Sequence, residues 1–243
     1  MRKATITLFI LAGAGLALAL SMTSMSGCTG GKALSSLPPV FPLDEQPPGA
    51  KVDPKTNTIT ITKENITVSA RYWRKYELDR RFNVGSMTSP FYYKEDWKQS
   101  EKLDVYYITV QNNREDTIEL DINNCYVEDN RQNRYVSFDY DQLVERFRLK
   151  RMMDITVRNG LKKAREILLE MKIGEDKRIA PGEKVEGFLP FAMSVLRAEK
   201  LYLHIPILII PKDPTERSRL VEFVFNFGHD MAIRLAQPAT VRF

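Results

Sequence analysis

The sequence predicts a mainly β protein: a β-sandwich carrying an α-helical insertion. Three observations predict it. Runs of alternating apolar and polar residues, rich in β-branched side chains, recur along most of the chain. Polar or Pro-Gly turn signals separate them, as at Asn112-Asn113 and Pro181-Gly182. One stretch, 139–173, changes to a helical period. Short strands with a single helical excursion bury their apolar faces most simply as two packed sheets.

The elements follow in order. Thr58-Ile59-Thr60-Ile61-Thr62 alternates, and Ile66, Val68 and Ala70 continue the period toward Tyr72. Lys102 to Val110, KLDVYYITV, has the composition of a buried strand. Ile118, Leu120 and Ile122 alternate with Glu119, Asp121 and Asn123, so one face is wet. In the insertion, Tyr140, Leu143, Val144 and Phe147 fall at i, i+3, i+4 and i+7. Asp139 with Gln142 three residues on reads as a capping-box start with Asp in place of Ser or Thr. Leu161, Ala164, Leu168 and Met171 form a second helical stripe ending near Gly174. Val185, Gly187, Leu189 and Phe191 alternate after the Pro181-Gly182 turn. Leu201, Leu203, Ile205, Ile207 and Ile209 share a face, and Pro206 among them predicts an edge or a bulge. Val221, Phe223, Phe225 and Phe227 share the last well-defined face, and Ala239 to Phe243 adds a short terminal strand.

Composition bounds the function. The chain has 243 residues, 43% hydrophobic and 28% charged, which is ordinary for a globular protein and excludes wholesale disorder and a multi-span membrane protein. Two cysteines exclude a disulfide-dense scaffold, and two histidines far apart argue against a His-rich metal centre. The net charge is +5, and no cofactor motif accompanies it.

The N-terminus reads as an address. Arg2 and Lys3 precede a charge-free apolar run, Ala4 to Leu20, and a small-residue exit ending at Cys28. Met25-Ser26-Gly27-Cys28 resembles a bacterial lipoprotein lipobox. The resemblance implies a signal peptide over 1–27, cut before Cys28, and a lipid on Cys28 that anchors the chain to a membrane. Thr29 in place of Asp after that cysteine resembles outer-membrane sorting in a two-membrane cell; with one membrane, the anchor stays on the outer face of the plasma membrane. Residues 28–50 read as the lipidated cysteine and a Pro/Gly/Ser-rich tether, with Val40, Phe41 and Leu43 able to dock on the domain. Residues 51–243 then form a single domain. Cys125 has no intrachain partner in this scheme and reads as a small buried hydrophobe.

Pro181-Gly182-Glu183, Glu186-Gly187 and Phe191, in PGEKVEGFLPF, together with the strand ending at Asn112-Asn113 and the KLYLHIPI strand, are similar to telokin-like, immunoglobulin-fold domains of exported bacterial lipoproteins. That resemblance implies an immunoglobulin-like sandwich and a cell-envelope role, and it implies no catalytic residues.

No Gly-x-Ser-x-Gly elbow, phosphate loop or Cys-x-x-Cys pair occurs. His204 lies in an apolar strand and reads as a core or edge histidine; His229-Asp230 reads as a turn pair.

Two features point to binding. Asn83 to Ser100 is a long inter-strand segment with Phe91, Tyr92, Tyr93 and Trp97, which serve either as a partner-binding patch or as cover for an open end of the sandwich. From Asp141 to Arg178 there are 11 Lys/Arg against 7 Asp/Glu. Arg146, Arg148, Lys150 and Arg151 group at the end of the first inserted helix, either as a solvated, dipole-compensating face or as a contact for an anionic surface. Export removes the protein from nucleic acid. The expected function is therefore a lipid-anchored envelope protein, a non-enzymatic binding or assembly module with an envelope protein partner. The alternatives are an envelope hydrolase acting on glycan or lipid, and a tethering subunit of a secretion or surface-assembly machine.

Overall fold

The computed structural model describes residues 40–82, 91, 103–149, 155–170, 173, 178–192 and 198–229; of residues 75, 146–149 and 155–161 it describes the backbone alone. The expected signal and lipid site, including Cys28, and the expected terminal strand lie outside the described residues.

The fold is the mainly β sandwich with a helical insertion that the sequence predicts. One antiparallel sheet has the order β1 (Val40–Pro42), β12 (Arg219–His229), β11 (Lys200–Ile210), β6 (Thr117–Leu120) and β9 (Arg178–Ile179). In the same sheet β7 (Tyr126–Asp129) also pairs with β11, and β8 (Arg134–Val136) pairs with β7. The other sheet runs β10 (Lys184–Ala192), β5 (Leu103–Asn112), β4 (Ile66–Trp73), β3 (Thr58–Lys63) and β2 (Lys51–Asp53). Period-two alternation sets the faces. Ile59, Ile61, Val68, Ala70, Ile108 and Val110 meet Leu203, Ile205, Ile207, Phe223 and Phe225 between the sheets, all buried. Each Val, Ile, Leu and Phe among them contributes about 1.5–3 kcal/mol on leaving water.

Pro206 does not mark an edge, because β11 lies between β12 and the β6/β7 pair. β7 pairs with Leu201 to His204 and β6 with Ile207 to Ile210. Ile205 and Pro206 therefore lie opposite the break between those strands, where the 3-10 turn Ile122–Asn124 interrupts them. A residue without an N–H is tolerated in a central strand at such a gap.

Asn112 joins the two sheets at one end. It is fully buried, and its amide donates to Asp116 O (2.9 Å) and Ile179 O (3.0 Å). The Gly182 N–H donates to Asn112 O at 2.8 Å, and Gly182 has φ +77°, a conformation that Gly adopts freely after Pro181 in a type II turn. The turn that starts β10 is thus held by the residue that ends β5.

The tether is shorter than the sequence predicts. Val40 is buried, β1 adds to β12, and Leu43 N donates to Asn226 O at 3.0 Å. Gln46 Nε2 donates to the same carbonyl at 2.6 Å, and Asn226 Nδ2 donates to Glu45 O at 2.6 Å. The domain therefore begins at Val40, not Lys51; the docking allowed for Val40, Phe41 and Leu43 extends as a strap through Gln46.

The insertion forms a third layer. Toward β2 and β3 the outer face of the five-stranded sheet is polar, with Thr60 bonded to Ser69 (2.9 Å) and Thr62 to Thr67 (3.0 Å). At the end carrying Trp73 and Leu103 it is apolar, with Val105 and Phe188 alongside. Three helices cover that end: α1 (Lys75–Phe82), α2 (Tyr140–Leu149) and α3 (Ile155–Glu170). Leu78 and Phe82 of α1, Leu143 of α2, and Ala164, Ile167 and Leu168 of α3 enter a second core there. The capping box is formed as expected: Gln142 N donates to Asp139 Oδ1 (2.7 Å), and Asp139 N donates to Gln142 Oε1 (3.0 Å). Helix α1 follows a strand directly and is absent from the sequence reading.

Candidate functional site

Phe188 is the centre of the second core. Its ring meets Tyr107 at 4.9 Å, Trp73 at 5.0 Å, Phe82 at 5.5 Å and Phe91 at 6.2 Å between centroids. Strand β10 presents it there because GFLPF is apolar on both faces: Leu189 and Phe191 face the other sheet while Phe188 and Pro190 face the helices. That doubled pattern is the signal that the outer face is covered.

Beside Phe188 lies a shallow, half-open cleft whose cavity volume is about 20 Å³, room for roughly one water. Phe188 and Pro190 line it from β10, Tyr140 and Leu143 from α2, Leu168 from α3, and Phe91 from the aromatic segment; Ile122, Phe138 and Ile173 complete it. Phe138 N donates to Pro190 O at 2.8 Å, which fixes the start of α2 against the sheet. The lining is aliphatic and aromatic, with the Tyr140 hydroxyl as its polar side-chain group.

The two segments singled out in the sequence thus meet at one place. Phe91 is 1% exposed, so of the two readings open to it, it is a core residue and not a surface patch. It plays the covering part. Tyr92, Tyr93 and Trp97 lie outside the described residues, as do Lys150 and Arg151. Arg146 and Arg148 are on α2, whose last turn is described by its backbone.

Cations flank the aromatic core. The Arg71 and Arg81 guanidinium carbons lie 5.1 and 5.5 Å from the Trp73 ring centroid. Arg71 is ion-paired with Glu77 of α1. Burial, then a hydrogen bond to Glu186, pushes the Tyr107 hydroxyl up to about 12, so Tyr107 stays protonated at neutral pH. The Lys184 ammonium, 2.8 Å from Glu186, and then the Tyr107 hydroxyl hold the Glu186 carboxyl below its usual range.

A second polar cluster lies on the outer face of the seven-stranded sheet. His204 and Tyr126 stack at 4.3 Å with their rings 9° apart, and Glu222 Oε1 lies 2.8 Å from His204 Nδ1 and 3.3 Å from the Tyr126 hydroxyl. The Arg134 guanidinium covers Tyr126 at 4.7 Å. His204 is therefore a sheet-face residue with a carboxylate partner, and the cluster is a stacked, paired patch. Cys125 is fully buried, and burial pushes its thiol up to about 12, which keeps it an inert hydrophobe. Among the described residues no group of three His, Cys, Asp or Glu side chains stands close enough to hold a metal ion.

No family model matches the chain, and no curated protein matches it. Among solved structures it is similar to the crystal structure of a DUF4426 family protein from Pseudomonas aeruginosa PAO1, with 9% identity and a TM-score of 0.29, over 75% of this chain and 97% of that one. At that TM-score the likeness carries no argument about fold or activity.

Proposed function

We propose that the chain is a lipid-anchored cell-envelope protein and a non-enzymatic binding or assembly module, with the cleft beneath α2 and α3 as the receptor for an envelope protein partner. The observation that carries this reading is the cleft itself: a shallow apolar depression whose wall joins Phe91, Leu143 and Phe188 from three separate segments and against which an apolar side chain can lie. One aromatic or aliphatic side chain placed there gains about 1.5–3 kcal/mol by burial. That is a weak anchor alone. At about 3 kcal/mol such a contact is half-filled only near ~6 mM, so the roughly millimolar effective concentration that a shared membrane gives through a lipid on Cys28 occupies it in part, and contacts around the rim must add to it. The resemblance to telokin-like exported lipoproteins and the lipobox support the envelope location: the outer membrane in a two-membrane cell, otherwise the outer face of the plasma membrane.

The test is photo-cross-linking in cells, with the cross-linker at exposed Asp141, next to the cleft residue Tyr140. The expected result is a reproducible protein adduct that disappears in Leu143→Trp, which fills the cleft at a cost of about 1–3 kcal/mol for overpacking, with the domain still folded by circular dichroism. An adduct indifferent to Leu143→Trp, or none above background in membrane-bound protein, refutes the cleft as receptor. Separately, membrane co-fractionation of Cys28→Ala after a salt wash refutes the anchor.

A further inference from the structure

We propose that the sandwich docks, helical end first, on the anionic surface of the bilayer that carries its anchor, through Tyr76 and Arg80 of α1. This rests on the reading of Cys28 as the lipidated residue. It goes further by fixing which end of the domain faces the membrane and which side chains meet it.

The first observation is where the chain reaches the domain. β1 pairs Val40 with His229 and Pro42 with Phe227, so the chain arrives at the C-terminal end of β12. The Arg74 guanidinium lies 4.6 Å from the Phe41 ring centroid, so the start of α1 is at that same end. Trp73, Leu103 and Ala192 also lie there, by the pairing of β4 and β10 with β5. The β11–β12 hairpin tip, with Thr215, is at the opposite end of the seven-stranded sheet.

The second observation is the length of chain left. Because residues 40–46 are clamped to β12, only residues 29–39 separate Cys28 from the domain. Twelve Cα steps reach at most about 41 Å at ~3.4 Å each. The 11 residues of β12 extend about 37 Å. The anchor therefore holds the helical end within about 41 Å of the bilayer, and the hairpin tip lies a further strand length away when that end faces the surface.

The third observation is the chemistry of that end. Tyr76 is 60% exposed, and Arg80, one turn on, is exposed on the same face of α1, opposite buried Leu78 and Phe82. An aromatic ring with a polar tip beside a long cationic side chain is the pair that settles at the headgroup level of a bilayer. The three helices together carry nine basic residues against six acidic ones, which complements anionic lipid.

The test uses full-length lipidated protein in vesicles of phosphatidylcholine with phosphatidylglycerol, and of phosphatidylcholine alone. One fluorophore is placed at Arg131→Cys, on the β7–β8 turn at the helical end, and in a second sample at Thr215→Cys, at the far tip; buried Cys125 stays unlabelled. Nitroxide on the lipid headgroups reads proximity. The expected result is strong quenching at position 131 and weak quenching at 215 in anionic vesicles, with the difference reduced in neutral ones. Arg80→Glu reverses one charge and lowers the docked-to-free ratio by roughly tenfold. Tyr76→Ser lowers it too, and both variants keep flotation and melting temperature. Flotation with equal quenching at both positions, or a difference unmoved by Arg80→Glu, overturns the docking and leaves the anchor standing. Failure of the wild-type protein to float overturns the anchor and the docking with it.

Discussion

Replacing Phe188 by Ala tests whether the helical layer is a separate core built on the outer face of β10. The ring is 7% exposed and holds four aromatic neighbours within 6.2 Å, from β4, β5, α1 and the aromatic segment. Truncating a buried Phe to Ala costs about 3–5 kcal/mol, and the loss grows with the void that remains dry. Here the ring borders an open cleft, so water can fill the space left, and the expected cost is near the lower bound, about 3 kcal/mol. For a domain of this size that lowers the melting temperature by roughly 6–12 °C. The location of the damage is more telling than its size. Amide exchange should speed up in α1, α2 and α3, while β11 and β12, packed around Phe223 and Phe225, keep their protection. Phe225→Ala, in the core between the sheets, should cost more and lower protection throughout. Urea titration followed by exchange mass spectrometry reads both quantities. A cost below about 1 kcal/mol, or protection lost evenly across both cores in Phe188→Ala, refutes the two-core reasoning.

Gly228→Ala should release the strap: a Cβ there falls 2.5 Å from Leu43 Cδ2 and 2.8 Å from the Glu199 carbonyl oxygen. The expected cost is about 1–3 kcal/mol, with Leu43→Ala recovering part of it in a double-mutant cycle measured by denaturant titration. Asn112→Ala leaves the Asp116 and Ile179 carbonyls without their amide donor and should cost about 1–3 kcal/mol, against near-neutral cost for exposed Asn113→Ala in the same assay. Asp129 gives a pH signature. Burial pushes its carboxyl up, but the Asn133 side chain, the Asn133 and Arg131 N–H groups and the Tyr135 hydroxyl overcome this and hold it below its usual range. Its contribution is therefore complete above the unfolded value near ~3.9 and is lost as pH falls through the lower folded value. Asp129→Asn should lower stability at neutral pH by about 1.5–3 kcal/mol and flatten the acid limb of a stability-versus-pH curve; a parallel downward shift at all pH values refutes the assignment.

The strands were legible where one face alone is buried, because alternation is then a local property. Thr58–Thr62 and Ile118–Leu120 lie within strands that show it. The first inserted helix was legible for a similar reason, since Asp139 and Gln142 bond to each other across three residues. What was missed depends on partners far along the chain. The strap reads as tether because its Pro and Gly composition is a local signal, whereas what holds it is Asn226, 180 residues from Gln46. Helix α1 carries only one buried pair, Leu78 and Phe82, too short a stripe to stand out until a sheet face exists to cover. Pro206 was misplaced because an edge and a gap beside a central strand look alike in one strand's sequence.

The convergence at the cleft has the same origin. An aromatic segment after α1 and a helical excursion after β8 are separated by a sheet-to-sheet crossover and share no motif. They meet because both must cover one surface, the end of the five-stranded sheet where Trp73, Leu103, Val105 and Phe188 face outward. An ordinary sandwich strand would put polar residues there and need no third layer. Phe188 and Pro190 make a covering layer obligatory, and α2, α3 and Phe91 leave a shallow opening where their surfaces fail to meet. That opening lies on the half of the sheet toward which the strap brings the chain. On the proposed docking, the cleft and the Tyr76–Arg80 pair therefore share the end of the domain turned toward the bilayer. A partner that enters the cleft would have to be reached along the membrane plane, not from above it, so moving the domain away from the bilayer should weaken partner capture before it weakens the fold. Inserting a flexible Gly/Ser segment between Cys28 and Val40 makes that separation without touching the cleft. Photo-cross-linking from position 141 should fall as the inserted length grows, while the melting temperature stays constant. Capture that is independent of the inserted length would show that the cleft is approached from the far side and would detach the binding reading from the docking geometry.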